Sequence, residues 1–554
     1  MSKRNNSGTS FLVQGSILAI ASIVSRIIGL IYRLPMTDII GDQGNNYYSC
    51  AFDVYNVVLI ISSFSLPTAV SKLVSTYRAK RQKKMVYQIL KGSLLFALIT
   101  GGVAALVVFF GAEFFTGNLL KTPYGVFALR VLAPVLLIVA ILGVLRGFFQ
   151  GMGTMMPSAI SQILEQLVNA VVSVWASYVL FSYGAKIGTV LGDKDNYAAA
   201  YGAAGGTLGT SMGAIFALLF LLFILSIYLK VFKKQMNKEG NTKVESFGYV
   251  MHILLITIIP VLLSTTIYNI SDFLDHMLYT NIAKLQGMGT YEFGINWGVY
   301  SGKYRLLINV PIAISSALAA SSVPALTNSF QKGDLNQVRS QIDSALRFVM
   351  IIAFPCTVGL AVLGKPILLM LFPSTTSTAD LGAFMMATGA IAVIFYSIST
   401  LTNGMLQGID RMQAPVKNAA ISLVLHVIIL IVLMMVFHLD IHAVVIANAL
   451  FSLFVCILNG IDLYRFVDYK QEIVRTFLVP GLCSLIMGVL TFTSYQLLLM
   501  VTDQLIVSLA VSFILAVISY FAAMFLLKGI TEKELSRFPK GDTLVAICKK
   551  LHLF

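Results

Sequence analysis

The sequence predicts an all-α, polytopic membrane protein with about fourteen transmembrane helices. Of its 554 residues, 57% are hydrophobic and 11% are charged, and the mean hydropathy is +0.85. This composition leaves too little polar surface for a water-soluble fold. Apolar stretches of roughly 20 residues, the length that crosses a bilayer, recur along nearly the whole chain. In addition, landmarks of the first half recur in the second half at a constant offset.

The predicted spans follow from the apolar stretches. They lie near residues 11–35, 50–76, 88–111, 125–150, 158–183, 203–230, 248–275, 299–324, 345–368, 382–407, 416–437, 442–463, 475–499 and 504–528. The first stretch carries no small-residue cleavage site, so we expect a retained helix and not a signal peptide.

The repeated landmarks are 257 residues apart. They are Gly147 with Gly404, Gln150 with Gln407, Gly151 with Gly408, Ser65 with Ser322, Pro67 with Pro324 and Tyr47 with Tyr304. Six predicted helices fit into this offset, so both copies have the same orientation, as in transporters built from parallel repeats. We therefore expect a six-helix domain at 1–235, a second at 236–470, and helices thirteen and fourteen with a cytoplasmic tail at 471–554.

Basic residues predict the orientation in the membrane. The N-terminal tail, the loop near Arg78 to Lys84, the loop near Lys230 to Lys243 and the C-terminal tail all fall on one side of the predicted topology. Both termini are therefore expected to be cytoplasmic. We expect this charge, +15 overall, to contact anionic membrane lipids, and we do not expect a nucleic acid as partner.

The motifs argue against several enzyme classes. The sequence has no H-E-x-x-H pair, no Walker loop and no G-x-S-x-G elbow, and its five cysteines lack metal or disulfide spacing. We expect a monomeric transporter that is not an enzyme and holds no cofactor or metal. A membrane-embedded glycosyltransferase and a non-transporting partner of wall-synthesis enzymes are the alternatives from other classes.

Basic residues inside the spans mark the predicted substrate site. Arg26 lies near the middle of the first helix, where an arginine costs about 2.5–3.5 kcal/mol unless it faces water or a partner. Arg33 lies two turns further on the same face. Lys303 and Arg305 open the eighth helix at a depth that matches Arg33. We expect the four to bind a phosphate or pyrophosphate, with headgroup anchoring as the alternative for Arg33 and Lys303.

Acidic residues predict a second site. Asn269 and Asp272 lie three residues apart on one face of the seventh helix, where they would ligate Na⁺ or exchange a proton. Alternatively, Asp272 pairs with a nearby arginine. Arg146 and Glu165 lie at matching depths in the fourth and fifth helices, so we expect a structural ion pair between them.

Several of these residues resemble a known family. Ser25-Arg26 with Gly29 and Arg33, the stretch Leu-Pro-Thr-Ala-Val-Ser-Lys at 66–72, and Arg-Gly-Phe-Phe-Gln-Gly at 146–151 are similar to the polysaccharide-flippase branch of the MOP exporter superfamily. The similarity is to its MurJ-type lipid II flippases and its members like stage V sporulation protein B, and it covers essentially the whole chain. It implies fourteen helices, two six-helix lobes in a V around a cationic cavity, and a helix pair near 475–528 that forms a groove for a polyprenyl tail.

The resemblance implies a flippase of the bacterial plasma membrane. Its substrate would be a lipid-linked cell-wall precursor of the undecaprenyl pyrophosphate type, with lipid II as the first candidate. The protein would move this precursor from the inner to the outer leaflet by alternating access. Arg26 and Arg33 match the family's first-helix arginines, and Lys303 or Arg305 matches its eighth-helix basic residue. Asp272 matches an acid that takes part in binding the coupling ion, Na⁺ or H⁺.

One departure and two alternatives accompany the resemblance. A second-helix arginine of some members has no counterpart here, where Asp53, Asn56 and Ser62 occupy that helix. The alternatives are a flippase for another undecaprenyl-linked oligosaccharide and a cation-coupled multidrug antiporter. The antiporter is expected to carry unpaired acids in its cavity where a flippase carries arginines.

Overall fold

The computed structural model describes residues 5–237 and 246–529, apart from the side chains of residues 5–16, 19, 259–265, 267–269, 320, 321 and 324. Within these ranges the protein is almost entirely helical and contains no β-strand. Each of the fourteen predicted spans falls on a helical segment. The all-α, polytopic class is therefore confirmed.

Sixteen α-helices make up the described chain. The first eight are α1 Asn5–Leu59, α2 Leu66–Ala79, α3 Lys83–Glu113, α4 Val126–Gly151, α5 Met156–Leu191, α6 Lys194–Met236, α7 Phe247–Leu285 and α8 Thr290–Val299. The others are α9 Arg305–Gln331, α10 Leu335–Leu371, α11 Ala379–Gly389, α12 Ala392–Gly408, α13 Gln413–Met435, α14 Ile441–Val467, α15 Val479–Thr502 and α16 Leu505–Leu526.

Several π-helical turns extend or join these helices. They span Ile60–Phe64, Phe114–Leu119, Tyr300–Tyr304 and Val474–Leu478. The first joins α1 to α2, and the third joins α8 to α9. Such turns are rare and frequently occur at functional sites. The third contains the predicted site residue Lys303, and the first lines a cavity together with Asp272.

Among the described residues, ten helices are long and apolar enough to cross a membrane, or eleven if α11 and α12, bent by 52°, form one broken span. The first of these covers residues 20–79, which is 60 residues and enough for two crossings. Gly41, with φ of 68° and ψ of 178°, breaks it into two helices. Fourteen crossings would require this span to cross twice, α11 and α12 to form one span, and α7 and the α8–α9 segment to cross as well; the last two crossings stay a prediction.

The contacts divide the chain into two compact units. One comprises Met1–Gly302 with Met434–Val436, and the other comprises Lys303–Leu433 with Phe437–Phe554. This boundary lies inside the predicted second domain because α7 and α8 pack on α1. The predicted boundaries at 235 and 470 describe the sequence repeat, and they stay a prediction.

Close helix packing characterises the first unit. The hairpin of α5 and α6, with 36 and 43 residues, forms its most extensive contact. A Cβ added to Gly209 would collide with the Ser173 hydroxyl, and that hydroxyl donates a hydrogen bond to the Gly206 carbonyl at 2.9 Å. The glycines of α6 therefore let the two backbones approach.

Polar contacts join several segments of the second unit. The Tyr520 hydroxyl of α16 donates to the Ile351 carbonyl of α10 at 2.8 Å, and Arg347 donates to the Gly529 carbonyl at 2.8 Å. Glu472 accepts backbone hydrogen bonds from Arg475 and Thr476 at 3.0 and 2.9 Å. Burial raises the pKa of the Glu472 carboxyl. The hydrogen bonds together lower this pKa by more than burial raises it, so the pKa lies below its ordinary value.

Candidate functional site

The first helix presents a polar stripe that contains both predicted arginines. At about 100° per residue, Ser22, Arg26, Gly29 and Arg33 lie on one side of α1. Ser22 donates to the Gln162 side chain of α5 at 3.2 Å, and a Cβ added to Gly29 would lie 3.7 Å from Gln166 Oε1. The stripe therefore borders α5, and we call it the α1 stripe.

Exposed isoleucines occupy the other side of the same helix. Ile20, Ile27 and Ile31 are 60%, 50% and 63% exposed. They point nearly opposite to the α1 stripe, as expected for a lipid-facing side. Arg26 is exposed as well and has no ion-pair partner in the described part of the chain. Its charge therefore lies on the polar side of α1, away from the isoleucines. A polar ligand or water would contact it there.

Arg33 lies deeper against α1's own second half. Its guanidinium carbon is 5.3 Å from the centre of the buried Tyr48 ring, a cation–π distance. Its Nε is buried and has no hydrogen-bond acceptor among the described residues. A buried donor without an acceptor is costly, so Arg33 retains capacity to bind an anion.

Lys303 and Arg305 belong to the second unit. Lys303 is 1% exposed and lies in the π-helical turn Tyr300–Tyr304. Its Nζ donates to the Thr378 hydroxyl at 2.7 Å and to the Thr375 carbonyl at 3.3 Å. Arg305 begins α9 and is half-buried. The Lys303 ammonium thus has acceptors from its own unit, and the role of both residues toward a ligand stays a prediction.

Asp272 lines a small cavity in the first unit. The cavity holds about 160 Å³, and Asp53, Asn56 and Phe273 also line it. Part of its wall is the π-helical turn Ile60–Phe64. The Asn269 side chain lies outside the described residues. The structure therefore brings Asp272 together with a second carboxylate and an amide of α1, which are oxygen ligands suited to a hard cation.

A buried aromatic network lies next to this cavity, and the sequence did not predict it. His276 Nδ1 is 2.7 Å from Asp53 Oδ2, and the His276 ring stacks on Trp297 with centroids 4.2 Å apart. Trp297 Nε1 donates to the Ser49 hydroxyl at 3.1 Å. The network ties α7 and α8 to α1. Asp53 thus belongs to both the cavity and the network.

Arg146 and Glu165 lie within ion-pair distance. Arg146 donates to the Glu165 carboxylate at 2.7 Å and to the Ser161 hydroxyl at 2.9 Å. Their side chains are 15% and 20% exposed. The pair joins α4 to α5 at the first residue of the Arg-Gly-Phe-Phe-Gln-Gly stretch.

Solved structures share this multi-pass helical fold. A multidrug resistance MATE family transporter of the MOP superfamily, in an inward-facing conformation, matches with a TM-score of 0.65 at 15% identity, over 81% of this chain and 98% of that chain. The lipid II flippase MurJ, in an inward closed conformation, matches with a TM-score of 0.64 at 14% identity, over 92% and 98%. The fold is that of the MOP superfamily's membrane transporters.

The family follows from the sequence match. The family model described as polysaccharide biosynthesis protein matches residues 12–330, more than half of the chain, and the protein belongs to this family. Similar relatives are the lipid II flippase MurJ of Bacillus subtilis, 25% identical over 87% of this chain and 88% of the relative, and stage V sporulation protein B of the same organism, 23% identical over 74% and 76%. The resemblance predicted from the sequence is confirmed.

Proposed function

We propose that the protein is a flippase that moves a lipid-linked cell-wall precursor from the inner to the outer leaflet of the bacterial plasma membrane. Lipid II is the proposed precursor. The α1 stripe carries this proposal, because Arg26 and Arg33 place two guanidinium groups on the polar side of a membrane helix. The similarity to MurJ of Bacillus subtilis, which is named a lipid II flippase, supports this substrate class.

The α1 stripe would hold the pyrophosphate of the precursor. Guanidinium groups bind phosphate oxygens bidentately, and the buried Nε of Arg33 supplies a donor that has no acceptor among the described residues. No covalent bond is made or broken. The prenyl chain stays in lipid while the headgroup crosses by alternating access, and α15 and α16 are the proposed groove for that chain. Lys303 and Arg305 are proposed as additional contacts.

The membrane potential bears on each half of the cycle. Outward movement of an anion is favoured by a negative interior at roughly 2.3 kcal/mol per charge per 100 mV. We propose that Na⁺ or H⁺ binds at Asp272 and resets the empty carrier. In reconstituted vesicles, Asp272→Asn should remove any dependence of transport on these cations, and an unchanged dependence would exclude Asp272 from coupling.

Complementation tests the substrate and the α1 stripe together. The wild-type protein should restore growth of a strain depleted of its own lipid II flippase, whereas Arg26→Ala/Arg33→Ala should not. Each lost arginine–phosphate contact costs about 1.5–3 kcal/mol. Arg130→Ala is the matched control, because this exposed arginine pairs with Glu113 outside the α1 stripe and should support growth.

Two outcomes would contradict different parts of the proposal. Rescue by the double variant at wild-type level would exclude the α1 stripe as the anion site and leave the flippase assignment standing. Failure of the well-expressed wild-type protein would exclude lipid II as the substrate.

A multidrug antiporter is the second candidate function. Its basis is the cavity lined by Asp53 and Asp272, together with the MATE-like fold. It predicts efflux of organic cations that Asp53→Asn abolishes and Arg26→Ala leaves intact. For a flippase, Arg26→Ala should impair transport and Asp53→Asn should leave it intact.

A further inference from the structure

A second, larger cavity opens at one end of the first unit. It holds about 600 Å³ and lies where α2 ends and α3 begins, beside the ends of α4 and α6. The basic residues of this end are the ones that predict a cytoplasmic location. Neither the α1 stripe nor the Asp272 cavity shares a lining residue with it. We call it the basal cavity.

The floor of the basal cavity is apolar. Val86 of α3 and Phe232 of α6 are 1% and 3% exposed, while Met152 and Tyr228 are half-buried. Tyr228 stacks on Phe232 with ring centroids 5.7 Å apart. These residues continue into the hydrophobic core between α2, α3, α4 and α6. Such a floor favours hydrocarbon over water.

The rim is cationic, and the helices that form it carry few acidic residues. Between Asp53 and Glu113 the chain has no Asp or Glu. The same stretch contains Lys72, Arg78, Lys80, Arg81, Lys83, Lys84 and Lys91. α6 has no acid after Asp195 either. The positive potential at this mouth is therefore not balanced by neighbours in the same helices.

Three of these cations line the basal cavity itself: Arg78, Arg81 and Lys83. Neither arginine has an acidic partner in the part of the chain that the structure describes. Lys83 Nζ donates to the neutral Gln235 side chain at 3.1 Å. Two arginines at the mouth of one cavity provide the planar donors that phosphate oxygens prefer.

Local backbone geometry places the two arginines. Arg81 has φ of 60°, and its N–H donates to the Arg78 carbonyl at 2.9 Å, so the turn that ends α2 brings the pair together. Gly153 has φ of 75°, and a Cβ there would collide with the Arg78 guanidinium. A glycine in the turn after α4 thus leaves room for Arg78 over the cavity.

Tyrosines with lysines beside them lie near the basal cavity. Lys80 lies over the Tyr77 ring at 5.1 Å, and Lys91 lies over the Tyr87 ring at 4.7 Å. Tyrosines near helix ends, with lysines beside them, are typical of the membrane–water interface.

We propose that the basal cavity binds an anionic phospholipid. Arg78 and Arg81 hold the headgroup phosphate, and the apolar floor at Val86 and Phe232 receives the start of an acyl chain. A free phosphate ion would use the arginines but leave the floor exposed to water. The proposal does not depend on the substrate that the protein transports.

Binding is tested with the full chain in phosphatidylcholine nanodiscs with and without phosphatidylglycerol, and by native mass spectrometry with phosphatidylglycerol as the titrant. Phosphatidylglycerol should raise the melting temperature of the wild-type protein. Arg78→Gln/Arg81→Gln should lose this rise and bind the lipid about thirtyfold more weakly, as expected for two interfacial cations.

The matched control removes the same charge from the same end. Lys230→Gln/Lys234→Gln changes two exposed lysines of α6 that do not line the basal cavity. This variant should keep the wild-type affinity within about threefold, because it lacks direct contact with the phosphate. Equal weakening of both double variants, or of neither, would overturn the proposal. If Arg78→Gln/Arg81→Gln does not fold, the same comparison is made with Arg81→Gln alone.

A further arm separates the two sources of phosphate. Inorganic phosphate and glycerol 1-phosphate are added to the wild-type protein in pure phosphatidylcholine nanodiscs. Neither should reproduce the rise in melting temperature at millimolar concentration. A rise equal to that given by phosphatidylglycerol would overturn the lipid assignment in favour of a soluble phosphate.

Discussion

Arginine side chains are costly at membrane depth, and this protein meets that cost in two ways. Arg146 has a carboxylate partner, Glu165, at 2.7 Å. Arg33 has only the face of an aromatic ring and keeps a buried nitrogen without an acceptor among the described residues. Depth along a helix can be counted in the sequence, so the proximity of Arg146 and Glu165 could be anticipated. The contact of Arg33 with the Tyr48 ring could not be anticipated, because it depends on the break in α1 at Gly41.

The Arg146–Glu165 pair should contribute measurably to stability. A double-mutant cycle with Arg146→Ala and Glu165→Ala is expected to give a coupling free energy of about 1–3 kcal/mol, because both side chains are mostly buried. The same cycle for the exposed pair Arg130–Glu113 should give about 0.2–1 kcal/mol. Thermal unfolding in detergent measures both cycles. Equal couplings would show that burial does not strengthen the first pair.

The contact of Asp53 with His276 shows where sequence reasoning stops at this scale. The two residues are 223 positions apart and lie in different helices. Neither helix periodicity nor hydropathy relates them, since both patterns act over a few turns. The acidic character of the α7 region could be predicted from Asp272, but its partners on α1 depend on tertiary packing.

At the scale of helices, the two copies of the repeated Gly-x-x-Gln-Gly motif pack on equivalent helices. Gly147 of α4 lies against α2, and a Cβ there would be 2.5 Å from the Pro67 carbonyl oxygen. Gly404 of α12 lies against α9, and a Cβ there would be 3.4 Å from the Ala319 Cβ. The first contact excludes a side chain because a backbone oxygen cannot move aside. The second is an ordinary van der Waals distance.

Alanine substitutions should therefore separate the two copies. Gly147→Ala is expected to destabilise the protein by about 1–3 kcal/mol, because the added methyl group overpacks the α2–α4 contact. Gly404→Ala is expected to be neutral or to stabilise by up to about 1 kcal/mol through helix propensity. Melting temperatures in one detergent give the comparison. The reverse order would mean that the α2–α4 contact relaxes more easily than its distances indicate.

Residues 36–49 show why some elements differ from their prediction. The segment is polar and was left outside the predicted spans, yet it is helical on both sides of Gly41. Asn45 donates to the Thr37 and Gly41 carbonyls at 3.0 and 2.8 Å, which caps the break from within. Hydropathy detects helices that face lipid. The segment 36–49 packs against α8, so its polar composition does not reveal that it is helical.

At the scale of the whole molecule, the sequence repeat and the distribution of charge were the informative patterns. The repeat predicted two related halves, and the glycines of its Gly-x-x-Gln-Gly motif pack on corresponding helices within each compact unit. The division at Gly302 could not be predicted, because it depends on the packing of α8 against α1. The distribution of basic residues predicts that the end of α2 is cytoplasmic and the α5–α6 turn is extracellular.

Cysteine labelling tests this orientation. In a variant without native cysteines, Thr189→Cys near the end of α5 should react with a membrane-impermeant maleimide in intact cells. Ser75→Cys near the end of α2 should react only after permeabilisation. Both positions are exposed in the structure, so burial does not limit either reaction. Labelling with the opposite sidedness would reverse the assigned topology.

The length of the α5–α6 hairpin has a practical consequence. At 1.5 Å per residue, the 36 and 43 residues of these helices extend roughly 54 and 64 Å, beyond the 40–45 Å of a bilayer with its headgroups. Gly184 and Gly188 pack tightly on α6 up to the turn, so the tip is firmly attached. An antibody fragment raised against this tip would add a rigid mass to a 60.3 kDa membrane protein and so help particle alignment in electron cryomicroscopy.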